Sequence, residues 1–392
     1  MVSVPVDGVQ APGRVTAALV IGGGLAGAAF AIRVARAGRR VVLIERESGE
    51  NDKVCGEFLS GETQAAIGAL GVDLSALGAL PIQTVSLCRG ADRVTVKLPF
   101  PASSLSRRRL DERLLQEAVD AGAEVHRGAA VTAVAGSVGD WRAELADGRI
   151  LHAEALFLAT GKHDIPGRPR GGGTQDDLVA FKGYWRLSPA QTSALGDGVE
   201  LHLFDGGYAG LQRVEGGRAN LCFLVSRAVL KEVGRPWPVL LAHLRRACPQ
   251  VDLRLVGGQP IHARPMALAA LPYGYVRTTT EGPWHLGDQA AVIPSFSGDG
   301  MALALHSAAV AAEAYLAGRS SPAFQKQLAA DVGAQVRRAT WLSRALVRPG
   351  TQALIMTLAC RFPALVEAVA RSTRLSPRAQ ARVAGLHAPS SA

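Results

Sequence analysis

Residues 14–46, RVTAALVIGGGLAGAAFAIRVARAGRRVVLIER, constrain the fold of this chain more than any other stretch. A short apolar run at 17–21 leads into Gly22, Gly24 and Gly27 in the spacing G-x-G-x-x-G. Small and apolar residues then recur at helical period over 25–37, Gly38 stops them, and a second apolar run at 40–44 ends on Glu45. Strand, glycine turn, helix, strand and acid in that order predict a dinucleotide grip. The first glycine permits the tight turn, the second lets backbone approach a pyrophosphate, and the third brings the helix close to the sheet. The N–H groups at the helix start meet phosphate charge. Glu45 lies about 20 residues past the glycines, where an acid takes both ribose hydroxyls. Its charge opposes the extra phosphate of NADP at this site, which leaves FAD or NAD.

At 392 residues the chain is long enough for about two or three domains and a large core. Apolar residues make up 48% and charged ones only 19%, which excludes a disordered chain. The net charge of +10 is mostly arginine, since lysine occurs only at 53, 97, 162, 182, 231 and 326. Such an excess attracts anions of any kind. No RRM, KH or zinc-finger pattern accompanies it, so no nucleic-acid partner is expected. The cysteines at 55, 88, 222, 248 and 360 are scattered, without a C-x-x-C, which speaks against a disulfide framework or a metal site and for a reducing compartment. Residues 1–13 have neither a basic start nor an apolar core, so no secretory signal is expected. The expected location is the cytoplasm.

Further along, residues 53–72, KVCGEFLSGETQAAIGALGV, end in a short helix, 82–98 alternate as strands, and 107–121 form a helix with the stripe Leu110, Leu114, Leu115 and Ala118. A hairpin turns at Asp147-Gly148, and an apolar strand runs to Thr160 and Gly161. Residues 174–283 alternate with glycine turns and read as an antiparallel substrate domain. Residues 284–320 return as strand, turn and long helix. Helical pattern follows, with the apolar stretch 354–360 and arginines at intervals. Such helices pack on the body, cover a greasy substrate tunnel, or make peripheral contact with a membrane surface. The expected organisation is a first FAD-binding part at 14–173 with inserted strands at 82–100, the substrate domain at 174–283, an FAD-binding return at 284–320, and C-terminal helices over 321–392. The fold class is mixed α/β: a Rossmann-type FAD/NAD(P)-binding domain, an antiparallel substrate sheet and a helical tail.

The return segment carries a second motif, Leu286-Gly287-Asp288 followed by Pro294, Gly298, Gly300 and Met301. Asp288 at a strand end can meet ribityl hydroxyls, and the glycine turn offers N–H groups to a pyrimidine carbonyl. The two ends of one large cofactor would then be held by the two ends of the chain, which favours FAD.

Together with the R-x-x-x-D-x-x-L helix starting at Arg107 and the strand end Ala159-Thr160-Gly161, these motifs resemble the flavoprotein hydroxylase superfamily typified by p-hydroxybenzoate hydroxylase. Lys53-x-Cys55-Gly56-Glu57 and the GGYAGL segment at 206–211 look closer to its geranylgeranyl reductase branch and relatives in secondary metabolism. The resemblance implies that Gly22, Gly24 and Gly27 line the pyrophosphate and that Glu45 and Arg46 meet the adenosine ribose. It further places Arg107 at the pyrophosphate, Val131 against the adenine, Gly161 at the strand end and Asp288 on the ribityl chain. Gly298, Gly300 and Met301 would present N–H groups to the isoalloxazine carbonyl, stabilising the reduced flavin. Cys55 and Glu57 would face the substrate side, as proton donor or general acid, or serve as buried filler and helix cap. Tyr208, flanked by glycines, would lie on the sheet covering the flavin. In the loop 161–168, Lys162 and Arg168 would meet the phosphates of a nicotinamide dinucleotide and His163 would act as a base, or the loop is a charged surface.

Two departures stand out. Pro294-Ser295-Phe296-Ser297 replaces the Pro-Pro or Pro-Phe-Thr of the relatives, and the W-x-W-x-I-P of flavin-dependent halogenases is absent. There is also no second G-x-G-x-x-G for a separate NAD(P) domain. The resemblance implies a monooxygenase that uses NAD(P)H and hydroxylates a small apolar aromatic or polyketide-type substrate. An FAD ene-reductase of prenyl C=C bonds, or a flavin-binding protein without turnover, are the alternatives.

Overall fold

The computed structural model describes residues 15–269, 271–279 and 281–383; residues 1–13, where no secretory signal is expected, lie outside them. The first strand, Thr16–Ile21, is buried almost throughout and centres the first layer. Ala18 and Val20 pack under helices, whereas Leu19 and Ile21 join Trp141, Val134 and Leu145 on the other face. Both faces are therefore apolar, as a central parallel strand requires. Val41–Glu45 and Ile150–Leu158 flank it in parallel, Glu124–Arg127 extends one side, and Asp140–Leu145 with Val131–Ser137 continue the other as an antiparallel meander. The return strand Trp284–His285 pairs with Ile150–Leu158. Helices Leu25–Arg36, Arg107–Asp120 and Gly300–Leu316 cover one face, contributing Phe30, Leu114 and Leu305 to a single core.

A second sheet takes the order Gln259–Pro260, Leu178–Arg186, Arg218–Ser226, Gly207–Val214, Gly198–Phe204, Leu80–Arg89, Asp92–Ser104 and Phe58–Ser60. Within residues 174–283 the pairing is antiparallel, as expected. The strands read as an insertion in the dinucleotide unit instead complete this second sheet, and Leu80–Arg89 runs parallel to Gly198–Phe204, so the sheet is mixed. Helices Trp237–Ala247 and Pro249–Leu255 bury Phe181, Leu211 and Phe223 on one face. The other face holds Tyr208 and Leu224 against Leu346 and Met356 of the tail. Among the described residues the tail is four helices, Ser321–Val347, Pro349–Arg361, Ala364–Ser372 and Pro377–Val383, with Pro349, Pro363 and Pro377 at or next to the breaks.

Candidate active site

The glycines divide the work at the first turn. Gly22 sits at φ +107°, and a Cβ there would stand 2.4 Å from the Ala159 carbonyl oxygen. A Cβ on Gly27 would stand 1.9 Å from the Gly22 carbonyl oxygen, so the third glycine sets how close the helix lies to the strand. At Gly24 there is room, and what borders it is cationic: Arg107 Nη2 at 3.6 Å and Lys53 Nζ at 3.7 Å from the Cβ position. Both cations share Asp111. Arg107 binds it as a fork, Nε to Oδ1 at 2.8 Å and Nη2 to Oδ2 at 2.9 Å, and Lys53 Nζ reaches Oδ2 at 2.7 Å. Burial opposes the Asp111 charge, but Arg107 and Lys53 outweigh it and hold the carboxyl below its ordinary range. The Arg107 charge is likewise opposed by burial and secured by Asp111 and Cys55. Lys53 was not among the residues expected in the site; its place in the K-x-C-G-E motif was the available signal.

Glu45 does more than end its strand. Its Oε2 accepts from the Gly23 N–H at 2.7 Å and its Oε1 from the Glu47 N–H at 3.0 Å, so the acid pins the glycine turn. Arg46 beside it is exposed and pairs with Glu47.

The other end of the groove comes from the return segment. Gly287–Gln289 forms a single helical turn, and Gln289 Nε2 donates to the carbonyls of Gly161 at 2.9 Å and His163 at 3.0 Å, fastening the 161–164 loop. Asp288 is partly exposed, with Lys162 Nζ 3.8 Å away. His163 is pushed below its ordinary value by burial and by Arg46 and Arg170, which keeps it neutral. Arg168 is occupied away from the groove, donating to the Val134 carbonyl and standing over the Trp141 ring. Gly298 takes φ +70°, and a Cβ there would meet Phe58 Cδ1 at 2.6 Å. Phe58 therefore lies directly against the turn that opens helix Gly300–Leu316. That turn is clamped from the tail: Arg374 Nη1 contacts Asp299 Oδ1 at 2.8 Å and Gln335 Nε2 donates to Oδ2 at 3.0 Å. Nothing in the sequence announces this clamp.

One groove of about 590 Å³ runs between the two ends. Gly22, Gly24, Glu45, Arg46, Arg107, Val131, Gly161, Asp288, Gly298, Gly300 and Met301 line it, together with Cys55 and Glu57. Gly27 supports it from below. Tyr208 is not among the lining residues: it is buried and meets Phe296 edge-on at 6.2 Å. The Cys55 thiol accepts from the Glu57 N–H at 3.3 Å and borders the Arg107 guanidinium. Glu57 is fully buried at φ +61°, and its carboxylate accepts from Lys182 Nζ and Tyr184 OH at 2.6 Å each, from the Arg107 N–H at 2.9 Å and from Asn220 Nδ2 at 3.0 Å. Burial pushes it up against the pull of these donors. The carboxylate thus ties the second sheet to the start of helix Arg107–Asp120. Met266–Leu268, an edge strand on Leu178–Arg186, adds an apolar wall to the groove.

The residues fit FAD: crowded glycines at one end, two cations over the turn, and an acid and unpaired first-turn N–H groups at the other. Fold and groove are those of an FAD-binding α/β fold. The Lycopene cyclase protein family matches residues 18–178. Menaquinone reductase of Mycobacterium tuberculosis is 29% identical over 314 residues, 75% of each chain. Among solved structures, the myxobacterial chondrochloren halogenase CndH superposes with a TM-score of 0.70 at 20% identity, over 95% of this chain and 96% of the other. The halogenase PltM in complex with phloroglucinol and FAD gives a TM-score of 0.66 at 15% identity, over 88% and 76%.

Proposed function

We propose that the protein reduces a carbon–carbon double bond of an apolar prenyl-type lipid, with FAD in the groove and NAD(P)H as electron donor. The observation that carries this reading is the position of Cys55: it lines the groove three residues before Phe58, which packs on the Gly298 turn, and Met266–Leu268 lines the same groove. The similarity to a menaquinone reductase and the K-x-C-G-E motif support it.

FAD held in this groove would supply hydride-transfer chemistry toward the alkene. The chain does the rest. Arg107 and Lys53, beside Gly24, would neutralise the FAD pyrophosphate, and Glu45 holds the glycine turn in shape. The N–H groups of Gly300 and Met301, at the start of a helix, would favour negative charge on a flavin ring held there. Cys55, its Sγ held by the Glu57 N–H and the Arg107 guanidinium, would hold the proton for the second alkene carbon. Met266–Leu268 keeps water from that carbon.

The test is anaerobic incubation of the FAD-loaded protein with NADH or NADPH and prenylated quinone or geranylgeranyl lipid, with products weighed by mass spectrometry. A product heavier by two hydrogens is expected, and Cys55→Ser should lower its yield while leaving flavin binding intact. A product heavier by one oxygen atom, formed only in air, would return the hydroxylating alternative, and flavin that NAD(P)H cannot reduce would overturn both.

A further inference from the structure

Helix Pro349–Arg361 is fixed by its inner face alone. Gln352 Nε2 donates to the carbonyls of Phe204 at 2.7 Å and Leu346 at 2.6 Å, and Met356 and Ala359 are buried one and two turns further on. On the outer face Leu354 is 59% exposed and Leu358 follows one turn later. Past a bend of 118°, Phe362, Leu365 and Val369 continue the exposed apolar series, and Trp341 of the preceding helix stands 69% exposed. Isolated exposed apolar residues are ordinary, but an aromatic-rich series on consecutive helices marks a binding surface.

Charge identifies what it binds. Arg337, Arg338, Arg348, Arg361 and Arg371 are exposed, and across residues 337–374 the sole acid is Glu367. This pairing of apolar face and arginine excess complements an anionic lipid headgroup layer. Aromatic side chains such as Trp341 and Phe362 favour the boundary between headgroups and acyl chains. Among the described residues no single helix is long and apolar enough to cross a membrane. Pro349–Arg361, with 13 residues, is about 20 Å long at 1.5 Å per residue, short of a ~30 Å hydrocarbon core, so it suits lying in the interface. Beneath the patch, Met356 and Ala359 share an apolar layer with Leu268, which lines the groove.

We propose that Trp341 and helices Pro349–Arg361 and Ala364–Ser372 dock on the surface of an anionic lipid bilayer. The surface stands on exposure and charge and holds whatever reaction the groove performs.

The experiment is vesicle flotation of the purified full chain, comparing phosphatidylcholine vesicles with vesicles of phosphatidylcholine and phosphatidylglycerol in equal parts, at low and high salt. The chain is expected to float with the anionic vesicles and to be released by salt. Leu354→Glu combined with Phe362→Glu should lower partitioning at least about tenfold, while Val138→Glu, on an exposed hairpin, leaves it unchanged. Arg361→Gln with Arg371→Gln, a pair that leaves the apolar packing untouched, should lower it several-fold and blunt the salt response. Circular dichroism and thermal melting confirm that each variant is folded. Absence of flotation with anionic vesicles, equal flotation with neutral ones, or unaltered flotation of the folded variants would overturn the proposal. So would a concentration-dependent dimer in sedimentation that the Leu354→Glu, Phe362→Glu variant abolishes, because a second copy would then cover the patch.

Discussion

Lys182 Nζ lies 2.6 Å from Glu57 Oε1, and both side chains are fully shielded from solvent. A pair of this kind costs more to break than it contributes, because the survivor is left buried and uncompensated. Lys182→Met is therefore expected to destabilise the protein by about 3–5 kcal/mol, and adding Glu57→Gln to recover most of that. The sign with pH follows from burial, which raises the Glu57 carboxyl in the folded state. The folded chain binds more protons than the unfolded one, so this contribution falls away as pH rises through the folded value, more steeply without Lys182. Urea unfolding of both variants across pH checks it; a double variant no better than the single one would refute it.

Asp111 is the shared anion of Arg107 and Lys53 at the glycine turn. Asp111→Asn leaves two crowded cations, with an expected loss of roughly 3 kcal/mol in the flavin-free protein. Pyrophosphate restores negative charge at the same place, so FAD should raise the melting temperature of the variant more than that of the parent. Equal shifts would show that the cations do not face the pyrophosphate.

Gly298 meets two separate obstacles to a side chain: a left-handed backbone at φ +70° and the Phe58 ring 2.6 Å from where a Cβ would sit. Gly298→Ala should destabilise by roughly 2–4 kcal/mol and release flavin, judged from typical left-handed strain plus overpacking. Adding Phe58→Leu should return only the steric share. Full recovery in the double variant, read from thermal melts, would mean that the backbone geometry costs nothing.

Burial raises the Asp299 carboxyl to about 7 even though Arg374 pulls it down. An unfolded aspartate titrates near 3.9. Between those values the folded chain holds the extra proton, so stability attributable to Asp299 is full at the acid end and is lost as pH climbs toward 7. Asp299→Asn should flatten this part of the stability profile by an amount on the order of a few kcal/mol. Parallel slopes for parent and variant between pH 4 and 7 would contradict it.

What could be read from the chain alone was whatever is local. The spacing of Gly22, Gly24 and Gly27, the apolar run at 17–21 and the acid at 45 lie within one β-α-β unit, and the structure adds little to them beyond the hydrogen bond from Gly23 to Glu45. The strands at 80–104 were legible as strands but not as members of the second sheet. Their parallel partner, Gly198–Phe204, lies far along the chain, and alternation says which face is apolar without saying which neighbour completes the ladder. The same limit hid Lys182 and Asn220, which read as ordinary polar positions of sheet strands until Glu57 is brought to them, and Arg374, an unremarkable tail arginine until the chain folds back on Asp299. Tyr208 carried a persuasive glycine context, yet its side of the strand turned out to be set by Phe296 and the tail helices.

The parallel ladder between Leu80–Arg89 and Gly198–Phe204 has a consequence for how the chain is made. On the ribosome, the early hairpin emerges with one edge open and must wait for a strand more than a hundred residues behind it, so nascent chains halted before Gly198 expose an unpaired border to their neighbours. Slow translation or chaperone shortage between those points should therefore send the polypeptide into aggregates rather than leave a soluble half-protein.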